Sequence, residues 1–546
     1  WPFDLLDAPL AQPHEALRKM AAWSGELVRR DSRWGPFWQA DFSGLKEPGL
    51  YQIETEFQLG TPFAVDDRLY DALVRGYLNY VHAQRSGVDV FGVRTAVNAD
   101  DGVLDSTGEP VPAAGGWNDA GDTRKWMTLT AFHVEGLAAA LACNAELRPR
   151  VLDEIHWGNR WLHGMISPEG QVYEDIGGGV LRGGGNYEQG WWNENHPGCL
   201  AGNAKNDYTD GRPLSGDERP IRTTYNPWAY FTFVRMQAIA ARLLDPPAAN
   251  RCLHLAGLAW KYVGRKGDDD RTLFLAGRIL AALELWRAGR PMAGAAELDA
   301  WVETLLARQD RPAEGGAAAG LSHYFLEADG KDAFRSVGFS CEPPLALLRY
   351  AEHNPNGNQA LRERCRTAVR QHIERYLLAD ARSNPYGVTP YGAYVRQPHP
   401  DQEVYRDAGR GRGVRTFIHP YNDQFMPHGT NSVVLQQAHL LARAAAALGE
   451  PAFGAHAEVL IQWVTGHNPT GLSMHNGVGY RHQTAFSIRC FHRIPDAVTA
   501  GFIGRPDDTP YLETSNVLQW STQEIWGVPA VHLTLAVAAL LGGRLP

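Results

Sequence analysis

A chain of 546 residues, 44% hydrophobic and 21% charged, is long enough for one large domain with an accessory module and too apolar to be disordered. Its net charge of −9 without a basic block argues against nucleic acid. No apolar run reaches the length of a membrane span, because the nearest, residues 528–541, is broken by Pro529 and His532. These exclusions suit a soluble protein with a neutral partner. The six cysteines, at 143, 199, 252, 341, 365 and 490, form no Cys-x-x-Cys pair, so a zinc knot or dithiol site is unsupported and buried free thiols are expected. Trp1 in place of a methionine implies a processed or trimmed start; the compartment stays open, with secretion or the periplasm favoured over the cytoplasm.

Residues 13–27 have the pattern of a short helix with a proline in its first turn. Residues 37–43 and 49–57 alternate as strands around a Lys46-Glu47-Pro48-Gly49 turn, which predicts a small β-module over residues 1–60. From Asp67 the period changes: Tyr70, Leu73, Tyr77 and Tyr80 fall on one helical face. Similar segments run over 127–143, 151–165, 227–244, 250–263, 271–287, 297–308, 340–352, 360–379, 431–448, 452–466 and 526–541, with few strand signals between them. That is about a dozen helices. The connections 86–126, 166–226, 309–339, 380–430 and 467–525 are long and rich in Gly, Pro, Asn and aromatics, as functional loops are. A helical toroid over 61–546 would gather them on one face as a cleft. The helices share no repeated sequence.

Within that frame, Gly115-Gly116-Trp117-Asn118-Asp119-Ala120-Gly121-Asp122 carries two carboxylates separated by two small residues, so a sharp turn could aim both into one space. Trp117 and Trp126 flank them with flat apolar surfaces of the kind sugar rings stack on. The competing reading makes one of these acids the N-cap of the helix that follows. Glu524, in Trp520-Ser521-Thr522-Gln523-Glu524-Ile525-Trp526, is either a first-turn acid favoured by the helix dipole or a carboxyl kept protonated by apolar neighbours. With 17 Trp, 20 Tyr and 19 Phe, not every aromatic need be core, and Trp191-Trp192 and Trp228 lie in polar loop sequence that suggests a stacking surface. Glu194 and His196 accompany Trp192, with a solvated loop as the alternative.

Other motifs carry less. Asp268-Asp269-Asp270 is a helix start or, with more oxygen ligands, a structural calcium loop. The glycine runs 177–179 and 183–185 lack the Lys-Ser/Thr of a phosphate cradle. No Gly-x-Ser-x-Gly elbow is present, and His475, His482 and His492 lack zinc-ligand spacing. No cofactor or catalytic metal is required.

Taken together, these residues resemble glycoside hydrolase family 9, a family of inverting cellulases with an (α/α)6 barrel. The likeness rests on residues 115–125, on Asp153-Glu154-Ile155-His156-Trp157-Gly158 as a helix start, and on His428-Gly429-Thr430-Asn431-Ser432 before a late helix. It extends to Val464-Thr465-Gly466-His467-Asn468-Pro469 and to Gln523-Glu524 before the last helix. Residues 40–51 resemble the end of an immunoglobulin-like module. The resemblance implies Asp122 as general base, Asp119 as holder of the nucleophilic water and Glu524 as general acid. It implies an oligo- or polysaccharide substrate met by Trp117, Trp126, Trp192, His196, Tyr225, Trp228, Arg481, His482 and Trp520.

The sequence departs from the family at Gly479-Tyr480-Arg481-His482-Gln483, where a Pro-His-His-Arg loop is usual, and after Glu524, where Tyr-Asn-Ala is missing. Residues 187–225 also fail to match a standard cellulase cleft. The expected activity is inverting hydrolysis of β-1,4-glucan. The alternative with the same chemistry is exo action on oligosaccharides, glucosamine-containing chains or substituted glucans. A polysaccharide lyase using Tyr480, Arg481 and His482, and a binding protein that has lost activity, are the readings from other classes. Oligomeric state is not legible.

Overall fold

The structure is a computed structural model that describes residues 23–543 except 56–58, 94–95, 97, 178–210, 216–217, 268, 312–320, 354, 396–404, 419–427, 486–493 and 516–518. Twelve helices of eleven or more residues are present among the described residues. They are α1 (Leu69–Ala83), α2 (His133–Cys143), α3 (Arg148–Gly164), α4 (Pro227–Ala241), α5 (Pro246–Arg265) and α6 (Thr272–Arg287). The second half is α7 (Ala295–Ala307), α8 (Glu342–His353), α9 (Gln359–His372), α10 (Asn431–Leu448), α11 (Pro451–Val464) and α12 (Gly527–Leu540).

The even-numbered helices close a ring, each packed on the next: α2, α4, α6, α8, α10, α12 and back to α2. The odd-numbered helices lie outside it. Composition explains the two layers. α4 is buried along its whole length apart from its last residue, and α12 almost as fully, as a helix that is apolar all round must be. α5 and α9 bury one stripe and face water with the other. This is the helical toroid that the loop spacing suggested, and the (α/α)6 barrel that the resemblance implied.

The inner ring is not wholly apolar. Arg235 on α4 bridges Glu135 on α2 and Glu342 on α8, with contacts of 2.7–2.8 Å. Glu284 on α6 pairs with Arg349 on α8, and Arg242 reaches it at 2.5 Å. Burying these charges is tolerable because each meets a partner.

Alternation of the layers fixes where the loops go. Every connection from an inner helix to the next outer one is short: 144–147, 242–245, 288–294, 354–358 and 449–450. Every long connection runs from an outer helix to the N-terminus of an inner one, with 266–271 the short exception. The long loops therefore collect at one end of the barrel, as a toroid requires.

Those loops contain more strand than the sequence suggested. Val103–Leu104, Lys125–Trp126, Asp175–Ile176 and Pro220–Arg222 form one small sheet, and Gly392–Val395, Arg406–Gly409 and Arg412–Arg415 form another. Strands of two to four residues are too short to display an alternating pattern.

The N-terminal region also differs in its pairing. Leu27–Ser32 pairs antiparallel with Gly35–Ala40, and Gly49–Tyr51 with Phe63–Val65, so the two segments expected to form one hairpin belong to two. Leu27 opens a strand rather than ending a helix, and the rest of the helix expected over 13–27 falls partly outside the described residues. The tip of the first hairpin is seated on the barrel. Arg33 bonds Ser383 and Asp508 at 3.1 Å, and Trp34 stacks on Phe417 at 5.8 Å.

Candidate active site

The acid pair lies in the loop that enters α2. Its turn is made by Gly115 and Gly116, both at positive φ, and Gly116 passes so close to Trp161 that a Cβ would sit 2.8 Å from it. Two buried clusters hold the loop from behind. Glu154, in the middle of α3 rather than at its start, accepts from Trp117 Nε1 at 2.9 Å, Arg85 Nε at 3.0 Å and His82 Nδ1 at 3.0 Å. Lys125, fully buried, donates to the carbonyls of Ala113 and Gly115 and lies 3.2 Å from Asp101. Burial pulls Lys125 down to about 8, against the opposing pull of Asp101. Arg219 completes that cluster by gripping Asp101 and donating to the Thr123 carbonyl at 2.6 Å.

So supported, the loop presents its two acids differently. Asp119 is buried, and its Oδ1 has no hydrogen-bond partner among the described residues. Burial, then the Asp122 and Glu524 carboxylates, push Asp119 well above the ordinary carboxylate range. Asp122 is partly open: its side chain keeps 19% of its exposure while Oδ1 accepts from the Arg124 amide at 3.1 Å. That bond spans two residues and caps no helix. The short helix Met127–Thr130 that follows has no side-chain cap.

Glu524 arrives from the other end of the chain, just ahead of α12. Backbone pairing brings it to the acid pair: Ala120 pairs with Trp526, and Gly527 N–H donates to the Asp119 carbonyl at 2.8 Å. A side chain at Gly527 would be tight, since a Cβ would lie 3.0 Å from His133 Nε2 and 3.1 Å from the Asp119 oxygen. The opposite flank is also backbone-bonded. Ala500 N–H donates to the Glu524 carbonyl at 2.7 Å, Gly501 to Thr522 at 3.0 Å and Gly429 to Ser521 at 2.8 Å. The Glu524 side chain is 12% exposed, and His428 Nε2 lies 3.3 Å from its Oε2.

The expected sugar platforms fare unevenly. Trp117 is fully buried with its indole N–H on Glu154 and its ring edge-on to His133, so it is core and offers no face to a sugar. Trp228 is also core, packed between Phe132 and Phe339 and against Gly277 of α6. Trp228 is buried because it opens the inner helix α4, and Trp117 because its loop packs on α3, where its ring lies against Gly158. Trp126 is half-buried with the Arg222 guanidinium 5.4 Å from its ring, and Tyr225 is half-buried against Tyr230. Trp192, His196 and Glu194 lie outside the described residues, as does the Trp520 side chain.

Arg481 and His482 are exposed and line an open cavity of about 640 Å³ with Thr470, Leu472, Thr484 and Thr514. Its wall is tied to the acid segment: Gln483 bonds Thr499 and the Glu513 carbonyl, and Thr499 pairs with Ile525.

Among the described residues no group of three or more His, Cys, Asp or Glu is arranged to hold a metal ion. Asp269 is engaged by the Arg271 amide and guanidinium, a local turn at the start of α6. Cys143, Cys252, Cys341 and Cys365 are free thiols. No helix among the described residues is long and apolar enough to cross a membrane.

Residues 70–290, which include the acid pair and both of its supporting clusters, match the model of glycosyl hydrolase family 9. Over this segment, somewhat less than half of its length, the chain is similar to family 9. Endoglucanase C of Cellulomonas fimi is 28% identical over a region taking in 40% of the chain, and the chain covers 22% of that protein's length. Solved family 9 structures share the fold over nearly all of the chain. A metagenome-derived endoglucanase superposes with a TM-score of 0.66 at 20% identity, covering 96% of this chain and 90% of the other. A Bacteroides ovatus family 9 protein gives 0.65 at 16% identity, covering 95% and 92%.

Proposed function

We propose that the protein is an inverting glycoside hydrolase that cleaves β-1,4-linked glucan, with Asp122 as general base, Asp119 as partner of the nucleophilic water and Glu524 as general acid. The observation that carries this reading is the meeting of three carboxyl-bearing residues from opposite ends of the chain, where Ala120, between Asp119 and Asp122, pairs with Trp526 and Gly527 N–H donates to the Asp119 carbonyl at 2.8 Å. Their environments separate their roles. Asp119, kept neutral by burial and its neighbours, offers an O–H and a carbonyl to a water. Asp122, partly open and held by the Arg124 amide, takes the proton of that water.

In the reaction the water oxygen bonds to the anomeric carbon from one face as the glycosidic bond breaks on the other. Glu524 gives its proton to the departing oxygen and is left as a carboxylate. Asp122 finishes protonated, and exchange with solvent resets both groups. The relatives called endoglucanases support β-glucan as substrate and internal cleavage as mode.

The polar, cationic cavity at Arg481 and His482 favours a second reading with the same chemistry, in which the enzyme trims chain ends of oligosaccharides, glucosamine-containing or substituted glucans. Carboxymethylcellulose tests both. Viscosity falling ahead of reducing-sugar release supports internal cleavage, and reducing sugar released at unchanged viscosity supports the second reading. Hydrolysis retained by Asp122→Asn overturns the base assignment.

A further inference from the structure

His428 stands immediately before α10, the inner helix beside α12, and is not a residue that motif spacing marks as chemical. Its backbone is clamped against the acid segment. Gly429 N–H donates to the Ser521 carbonyl and Thr430 N–H to the Phe502 carbonyl at 2.9 Å. A Cβ on Gly429 would lie 2.2 Å from the Gly501 oxygen, so this close approach of the two segments leaves no space for a side chain at residue 429. The imidazole is stacked on Trp526, centroids 5.0 Å apart and planes 21° from parallel. Trp526 pairs in turn with Ala120, between the two acids of the opposite loop. With its plane set by Trp526 and its backbone by the clamp, Nε2 comes to rest 3.3 Å from Oε2 of Glu524.

We propose that His428 is a positioning residue for the acid: its Nε2–H holds Oε2 of Glu524, so that the transferable proton sits on Oε1. This rests on the reading of Glu524 as general acid. The arrangement has a kinetic consequence. Before proton transfer Oε2 is the carbonyl oxygen of a neutral acid and accepts an ordinary hydrogen bond. As Oε1 releases its proton to the leaving oxygen, Glu524 becomes an anion and the same bond becomes charge-assisted. An interaction stronger in the transition state than in the ground state raises kcat rather than lowering KM. No proton leaves His428 in this step, and the atoms balance as in the reaction above.

The test compares two substrates that differ in their need for an acid. Cellotetraose has a poor leaving group that must be protonated; 2,4-dinitrophenyl β-cellobioside departs without a proton. His428→Phe keeps a ring for Trp526 but has no N–H, and His428→Gln keeps an amide N–H. The proposal expects His428→Phe to lower kcat on cellotetraose about 10- to 100-fold, the scale of a hydrogen bond to a charged group, with KM unchanged and the dinitrophenyl substrate turned over at nearly the wild-type rate. His428→Gln recovers most of the loss. Equal loss on both substrates, or wild-type kcat on cellotetraose, overturns the proposal. Glu524→Gln is the separate control: if it hydrolyses cellotetraose at the wild-type rate, the acid assignment itself falls; if it loses only that substrate, the assignment stands whatever His428 does.

Discussion

The two segments that carry the acids are built by different means. The loop bearing Asp119 and Asp122 is held by side chains, through the Glu154 cluster with Trp117, Arg85 and His82 and the Asp101–Arg219–Lys125 cluster beneath Thr123. The segment bearing Glu524 is held by main chain, bonded to Gly429, Val498, Ala500 and Gly501 on one flank and to Asp119 on the other. The first side depends on a few charged residues, the second on the absence of side chains where strands pass. In the proposed mechanism chemistry divides the same way: a base that must be firmly placed for any substrate faces an acid whose importance depends on the leaving group.

The largest expected effects fall on the two acids themselves. Asp122→Asn should lower kcat by about 10²- to 10⁴-fold on both cellotetraose and dinitrophenyl cellobioside, since attack by water is common to both. Glu524→Gln should lose a similar factor on cellotetraose alone. Equal losses in the two variants on both substrates would erase the asymmetry.

Next come the supports. Glu154→Ala strips a buried acceptor from Arg85, Trp117 and His82 and should cost about 3–5 kcal/mol in urea unfolding. A cost near zero would show that the base loop holds itself. On the acid side the disruptive change is an added methyl. Gly429→Ala has no room beside Gly501 and should cost about 1–3 kcal/mol as the strands part, with kcat on cellotetraose falling more than KM changes. Unchanged kinetics would mean the clamp does not set the acid.

Asp119→Asn should have the smallest effect on stability, and its sign is informative. A carboxyl raised in the folded state keeps its proton after the unfolded chain, near about 4, has lost its own, so the wild type loses stability as pH rises above that value. The asparagine variant lacks this loss. Its melting temperature, relative to wild type, should climb with pH from about 4 upward while its hydrolysis drops. A difference in melting temperature that does not change with pH would contradict the burial and charge argument for Asp119.

The same asymmetry explains what could be read in advance. The inner and outer helices were legible because each runs for three or more turns with a period of its own. The pair of acids was legible because Asp119 and Asp122 share one short stretch, separated only by Ala120 and Gly121. Its supports were not: Asp101 meets Arg219 from 118 positions away, and nothing local in either stretch announces the other. Glu154 was in view only as part of a family-like motif, without its role as the acceptor for Trp117.

The acid side hid more, because a bond from an amide to a carbonyl leaves no trace in residue type. Gly429, Gly501 and Gly527 were the faint signal there, and His428 needed the fold to bring it to Glu524. Trp117 and Trp228 illustrate the converse error. An aromatic in polar loop sequence looks exposed, yet Trp228 starts an inner helix that lies under the loops and Trp117 sits in a loop packed on α3.

The account's central claim, that water attacks from the base side while Glu524 protonates the other, fixes the configuration of the product. Proton NMR during the first minutes of cellotetraose hydrolysis, before mutarotation equilibrates the anomers, reads it directly. The account predicts that the newly formed reducing end appears first as the α-anomer; a β-anomer appearing first would contradict it.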